Sequence, residues 1–158
     1  QFGVQFFPAV DHTDKSAADY FAESLTIVEE GETLGFTHAR TVEHYFNRYG
    51  GYSTNPIVFL SAASQRTRTM RLVTGAVLPV FNHPFKLAGE IAMLDGISGG
   101  RLDVGFARAF LPHEFRRFGI SPSQAGADPS SRSSASLRWD KPPSEADTLE
   151  TLEKLIAP

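Results

Sequence analysis

Gly99-Gly100-Arg101-Leu102-Asp103-Val104-Gly105-Phe106-Ala107-Arg108 is the stretch that decides the fold. An amphipathic segment ending Met93-Leu94-Asp95-Gly96-Ile97-Ser98 runs into the glycine pair, which stops a helix. A short apolar strand, Arg101 to Phe106, follows, and Arg108 stands just past its end. In parallel α/β proteins the ligand-binding groups gather at the carboxyl ends of the strands. A guanidinium there either grips an anion such as a phosphate bidentately or pairs with a carboxylate of the protein. Arg101, at the opposite end of the same strand, reads as structural.

Working outward, Leu111 to Phe118 begins a further helix. Upstream, Phe2 to Phe7 is an apolar run closed by Pro8, a buried strand. Ala18, Phe21, Leu25, Val28 and Leu34 recur at helical spacing before Gly35. Phe36 to Val42 and Met70 to Leu78 are strand candidates. Between them, Asn55 and Pro56 are a cap and first-turn proline for a helix carrying Ile57, Leu60 and Ala63. His83-Pro84 opens the helix that leads back to the quoted stretch. The order is β-α-β-α-β-α-β-α, which implies a parallel sheet with right-handed crossovers. The fold class is α/β, a partial (half) TIM barrel. A complete barrel takes about 250 residues, and here the alternation stops near Gly119.

Residues 121–143 differ in kind, being rich in Ser, Pro, Ala and Gly with few large apolar side chains. They read as a flexible linker. Residues 144–158 carry Leu149, Leu152, Leu155 and Ile156 on one face of an amphipathic helix. The expected organisation is a barrel segment over 1–120, the linker, then that helix.

Composition narrows the classes of function. The 158 residues are 41% hydrophobic and 21% charged, with net charge −3, which argues against nucleic acid or an anionic membrane as partner. No apolar run reaches the roughly 20 residues of a membrane helix. There is no cysteine, so disulfides, thiolate metal sites and a cysteine nucleophile are excluded. No His/Asp/Glu grouping has metal spacing. The first residue is Gln1 rather than Met, as expected of a chain that is trimmed or incompletely recorded, and no signal-peptide pattern follows it. The expected location is the cytoplasm. Thirteen phenylalanines favour a substantial core or an apolar pocket.

Two further constellations sit where strands end. Glu43-His44-Tyr45 follows the second strand. His44 is there either a general base or donor to developing charge, or a loop residue without chemistry. Glu43 either orients it or lies in a buried hydrogen-bond network. Thr74-Gly75-Ala76 ends the third strand in small side chains, which either admit a flat aromatic ring or relieve a crowded interior.

Four stretches resemble, in order and spacing, the luciferase-like flavin-dependent monooxygenases. They are FGVQFFP, ETLGFTHARTVEHYFNRYGGYSTNP, RTRTMRLVTGAVLPVFNHPFKLAGEIAMLD and GGRLDVGFARAFLPHEFRRFGIS. The resemblance implies a TIM barrel that binds reduced FMN at its carboxyl-end mouth and oxidises an aldehyde or other organic substrate with O2. It puts His44 at the family's active-site histidine, Thr74, Gly75 and Ala76 beside the flavin ring, Arg108 near the FMN phosphate, and Phe7 and Tyr45 in the pocket lining. Ala107 stands where light-emitting members carry a cysteine, so ordinary oxygenation is implied rather than light. The fifth to eighth βα units are missing, and ADTLETLEKLIAP resembles the family's closing helix.

The function expected is an FMN-dependent monooxygenase served by a separate flavin reductase. The alternatives are a truncated, inactive flavin-binding or oligomerising derivative, and an interaction domain without ligand. A half barrel leaves strand edges unpaired at both sides and its inner face uncovered, so self-association is expected.

Overall fold

The computed structural model describes residues 2–122 and 135–137. Four parallel strands alternate with helices: β1 (Gly3–Phe6), α1 (Ala17–Thr33), β2 (His38–Thr41), α2 (Pro56–Arg66), β3 (Arg71–Thr74), α3 (Pro84–Ser98), β4 (Leu102–Phe106) and α4 (Pro112–Phe118). Spatial strand order follows chain order. That is the winding of a (β/α) barrel; a doubly wound sheet reverses order at a switch point. The fold is thus a partial TIM barrel.

Local chemistry sets the helix ends. The Asn55 side chain accepts from the backbone N–H of Ile57 at 2.9 Å and of Val58 at 3.2 Å, with Pro56 in the first turn. A cap of this kind contributes about 1 kcal/mol. Ser16 caps α1 through the Asp19 N–H at 3.1 Å. Gly99 ends α3 in the left-handed region, φ 70°, where a side chain would be strained.

One face of the sheet makes the core. Val4, Ala39, Leu72 and Leu102 lie in register and, with Phe6, Val104 and Phe106, pack on Val28, Ile57, Leu60, Leu87, Ile91 and Leu94 of the helices. The inner face alternates with it and is polar. Gln5, Arg40, Val73 and Asp103 share one layer, and His38 pairs with Arg71 in the layer below. Arg71 grips Asp103 bidentately, Nε–Oδ2 at 2.5 Å and Nη2–Oδ1 at 2.6 Å.

The expectation of two unpaired edges is corrected at β4. A strand within the Ser-rich stretch, β5 (Ala135–Leu137), pairs antiparallel with Val104–Phe106. Backbone pairing with an open edge, rather than side-chain pattern, makes this strand. The β1 edge has no partner among the described residues. Residues 123–134 and 138–143 of the expected linker, and the helix over 144–158, lie outside the described residues. Among those described, no helix is long and apolar enough to cross a membrane.

β3 is shorter than the expected Met70–Leu78, because the chain changes partner. Gly75 N–H still donates to Thr41 O of β2 at 2.7 Å, but Val77 N–H donates to Gly105 O of β4 at 2.8 Å. The Gly75–Ala76 peptide is cis.

Candidate active site

His44 lies past the carboxyl end of β2, held from several sides. Its N–H donates to Ser53 O at 2.9 Å, and Ser53 Oγ donates to Val42 O at 2.9 Å. Gly50, at φ 90°, closes the loop over it; a Cβ there would lie 2.2 Å from the His44 Cβ. Only glycine fits that approach. The rings of Tyr49, Phe7 and Phe110 surround the imidazole, with centroids at 5.0, 5.8 and 6.1 Å.

Glu114, on α4, orients the imidazole. Its Oε1 lies 3.1 Å from His44 Nδ1, and the side chains are 0% and 9% exposed respectively. The same oxygen accepts from the Tyr45 N–H at 2.9 Å, which makes it the acceptor for Nδ1–H as well. Nε2 then carries the lone pair and has no hydrogen-bond partner among the described residues. Glu114 Oε2 is buried and also without a partner among them. A buried carboxylate oxygen left unpaired is costly, so its presence calls for a functional explanation.

Glu43 takes the second of the two roles open to it. It is buried, accepting at Oε2 from Leu78 N–H at 2.9 Å and at Oε1 from Asn82 Nδ2 at 3.0 Å and from the Tyr45 hydroxyl. Burial, with the Glu114 charge adding to it, pushes its pKa up to about 7. Burial first, then the charge of Glu43, raises the Tyr45 phenol as well.

The remaining sequence candidates divide. Phe7 packs on His44. Tyr45 is turned into a second cluster, its ring 5.7 Å from Phe81 and 4.7 Å from Phe118, and belongs to the Glu43 network. Thr74 is buried, with its hydroxyl donating to Gly105 O at 3.0 Å and accepting from Gly105 N–H at 2.8 Å. This side chain ties β3 to β4. Gly75 and Ala76 stand at the same strand ends, partly accessible. Arg108 is exposed just beyond β4, next to the segment that delivers Phe110 to His44. Arg101 is structural as expected, donating to Ser64 O, Met70 O, Ser98 O and Thr67 Oγ1 between 2.7 and 3.0 Å. No metal-holding group exists among the described residues.

Sequence reasoning missed Glu114, Asn82 and Arg40. For Arg40 a signal was present: in His38-Ala39-Arg40-Thr41 the period of two puts it opposite buried Ala39, on the inner face. For Glu114 there was none, since 70 positions separate it from His44.

A barrel segment with an imidazole–carboxylate pair at its carboxyl end places an acid–base group where barrels gather their ligand-binding side chains. The chain belongs to the luciferase-like monooxygenase family, whose sequence profile matches residues 1–133. The structure of the monooxygenase RslO1 from Streptomyces bottropensis superposes with TM-score 0.78 at 61% identity, covering 80% of this chain and 39% of that one. The oxygenase component of the flavin-dependent trigonelline monooxygenase of Acinetobacter baylyi is 38% identical over 105 residues, 66% of this chain and 28% of that protein. With the oxygenating constituent of 3,6-diketocamphane monooxygenase from Pseudomonas putida, solved in complex with FMN, the likeness is one of fold. Its TM-score is 0.74 at 20% identity, over 99% of this chain and 39% of that one. The chain therefore spans well under half the length of the relatives it matches.

Proposed function

We propose that the chain is the His44-bearing part of an FMN-dependent monooxygenase that oxidises an organic substrate with O2, using reduced flavin from a separate cytoplasmic reductase. The observation that carries this reading is the His44–Glu114 pair, with Nε2 unpartnered at the carboxyl ends of the strands. The residues present suit the cofactor. Gly75 and Ala76 carry no large side chain and, with Arg40 packed against Gly75, form a ledge for a flat ring; Thr74 braces that ledge from behind, and Arg108 supplies a guanidinium for the phosphate. Bound reduced FMN would supply the electrons that activate O2. His44 takes or returns a proton at Nε2, while Glu114 keeps the proton on Nδ1. Phe7, Tyr49 and Phe110 exclude water around the imidazole and face the apolar part of the substrate.

The test is titration of the full chain with FMN, followed by reductase- and NADH-driven turnover with product analysis. Oxidised product beyond hydrogen peroxide is expected. Arg108→Ala should weaken FMN roughly tenfold more than riboflavin, which lacks the phosphate; equal losses would place the arginine elsewhere. The short coverage of the relatives favours one second reading, a flavin-binding or self-associating derivative without turnover. Tight FMN with only peroxide formed would select it.

A further inference from the structure

Two arginines lie on strands among the described residues, and they differ in one respect. Arg71 of β3 is spent on Asp103, the acid of the inner face. Arg40 of β2 has no carboxylate within ion-pair distance among the described residues. Its one hydrogen bond is long, from Nη2 to Gly75 O at 3.4 Å. Its stem fills the space that any side chain at position 75 would take: a Cβ there would lie 1.9 Å from Arg40 Nε and 2.6 Å from its Cγ. The guanidinium thus lies against Gly75, just past the carboxyl end of β3, at the end of the sheet where His44 also stands. Arg40 and Arg71 outnumber Asp103 on the inner face. A cation set beside a ligand ledge without an acid partner favours an anionic occupant.

Building on the reading above, we propose that Arg40 is the anion-recognition point of this mouth, contacting a planar delocalised anion. That chemistry is offered by a carboxylate on the organic substrate or by the ring of reduced flavin, which is anionic where oxidised flavin is neutral.

The experiment uses the full chain with Arg40→Met, which keeps length and removes charge, and Arg40→Lys, which keeps charge. One arm titrates benzoate against neutral benzamide. The other compares the affinities of oxidised and reduced FMN through the potential of the bound couple. Loss of benzoate affinity by about tenfold in Arg40→Met, with benzamide unchanged and Arg40→Lys intermediate, assigns the contact to the substrate. Selective weakening of reduced over oxidised FMN assigns it to the cofactor. Unchanged values in both arms, or a parent that prefers neither anion, overturn the inference. A parent that holds benzoate through Arg40 yet binds no FMN would instead refute the flavin reading while leaving this one standing.

Discussion

The two ends of the sheet use the same residue types to opposite effect. At the amino end, Glu32 accepts from the N–H groups of Arg68, Thr69 and Met70 and from the Thr69 hydroxyl, and Arg101 donates to three carbonyls and a hydroxyl. Both of these charges are turned on the protein's own backbone. At the carboxyl end, Glu43 is buried and held near neutral, Glu114 leaves an oxygen orphaned, and His44 leaves Nε2 without a partner. Polar atoms left over in a buried place cost stability, and folds keep them where they act. On the proposed function, one end carries stability and the other chemistry, as barrels divide them.

The sharpest way to break this division is His44→Ala. If the parent turns over, product formation should fall by roughly 10²-fold or more, the range for a lost acid–base group, while FMN affinity stays within a few-fold. Steady-state product assays and flavin titration measure the two. An unchanged rate would make His44 a loop residue and erase the contrast. Next in size is Glu114→Gln, which keeps volume and an acceptor for the Tyr45 N–H. Turnover should fall about tenfold while FMN affinity stays within a few-fold, since the ring loses the charged acceptor that fixes its Nδ1–H. An unchanged rate would reduce Glu114 to a packing role.

Much of this frame was legible in local pattern. The Asn55-Pro56 cap, the Gly99 stop and the alternation within His38–Thr41 each depend on neighbours within four positions. What was not legible is non-local. Glu114 reaches His44 across 70 positions, and no period in the sequence encodes that approach. Glu43 adjoins His44 in sequence, yet the strand end turns their side chains apart and sends Glu43 to Leu78 and Asn82. The strand at Ala135–Leu137 has no pattern of its own and exists through pairing with β4. The polar inner face was legible in the alternation of His38–Thr41, but the partners of its charges, Asp103 for Arg71 and Gly75 for Arg40, were not.

Glu43 gives a third test, through stability against pH. Its folded pKa, about 7, lies above the ordinary carboxyl value of 4.5, so the folded state binds more protons between those values. The stability tied to its proton is complete below 4.5 and drains as pH rises through 7. Thermal unfolding from pH 4.5 to 8 should show a falling component that Glu43→Gln flattens. A slope identical in parent and variant would mean that the buried carboxyl keeps its charge.

The smallest expected effect tests the amino end and has the opposite sign. Partial burial is the largest influence on Glu32 and pushes its pKa up, but the three backbone N–H groups and the Thr69 hydroxyl together outweigh it and hold the carboxyl at about 2. A depressed folded pKa stabilises above the unfolded value near 4.5, and that contribution is lost as pH falls toward 2. Glu32→Gln should therefore cost roughly 1–2 kcal/mol at pH 7, in the range of hydrogen bonds to a charged group, with a discount for solvent reaching the partly exposed carboxylate. The gap between parent and variant should close as the pH is lowered through that window. Flavin affinity and turnover should not change, because Glu32 ties α1 to the entry of β3 at the far end of the strands from His44. Chemical denaturation at pH 7 and pH 3 reads the first claim, and the FMN titration reads the second. A Glu32 variant that lost flavin while keeping its stability would show that the two ends are coupled through the strands, and the division of labour between them would have to be abandoned.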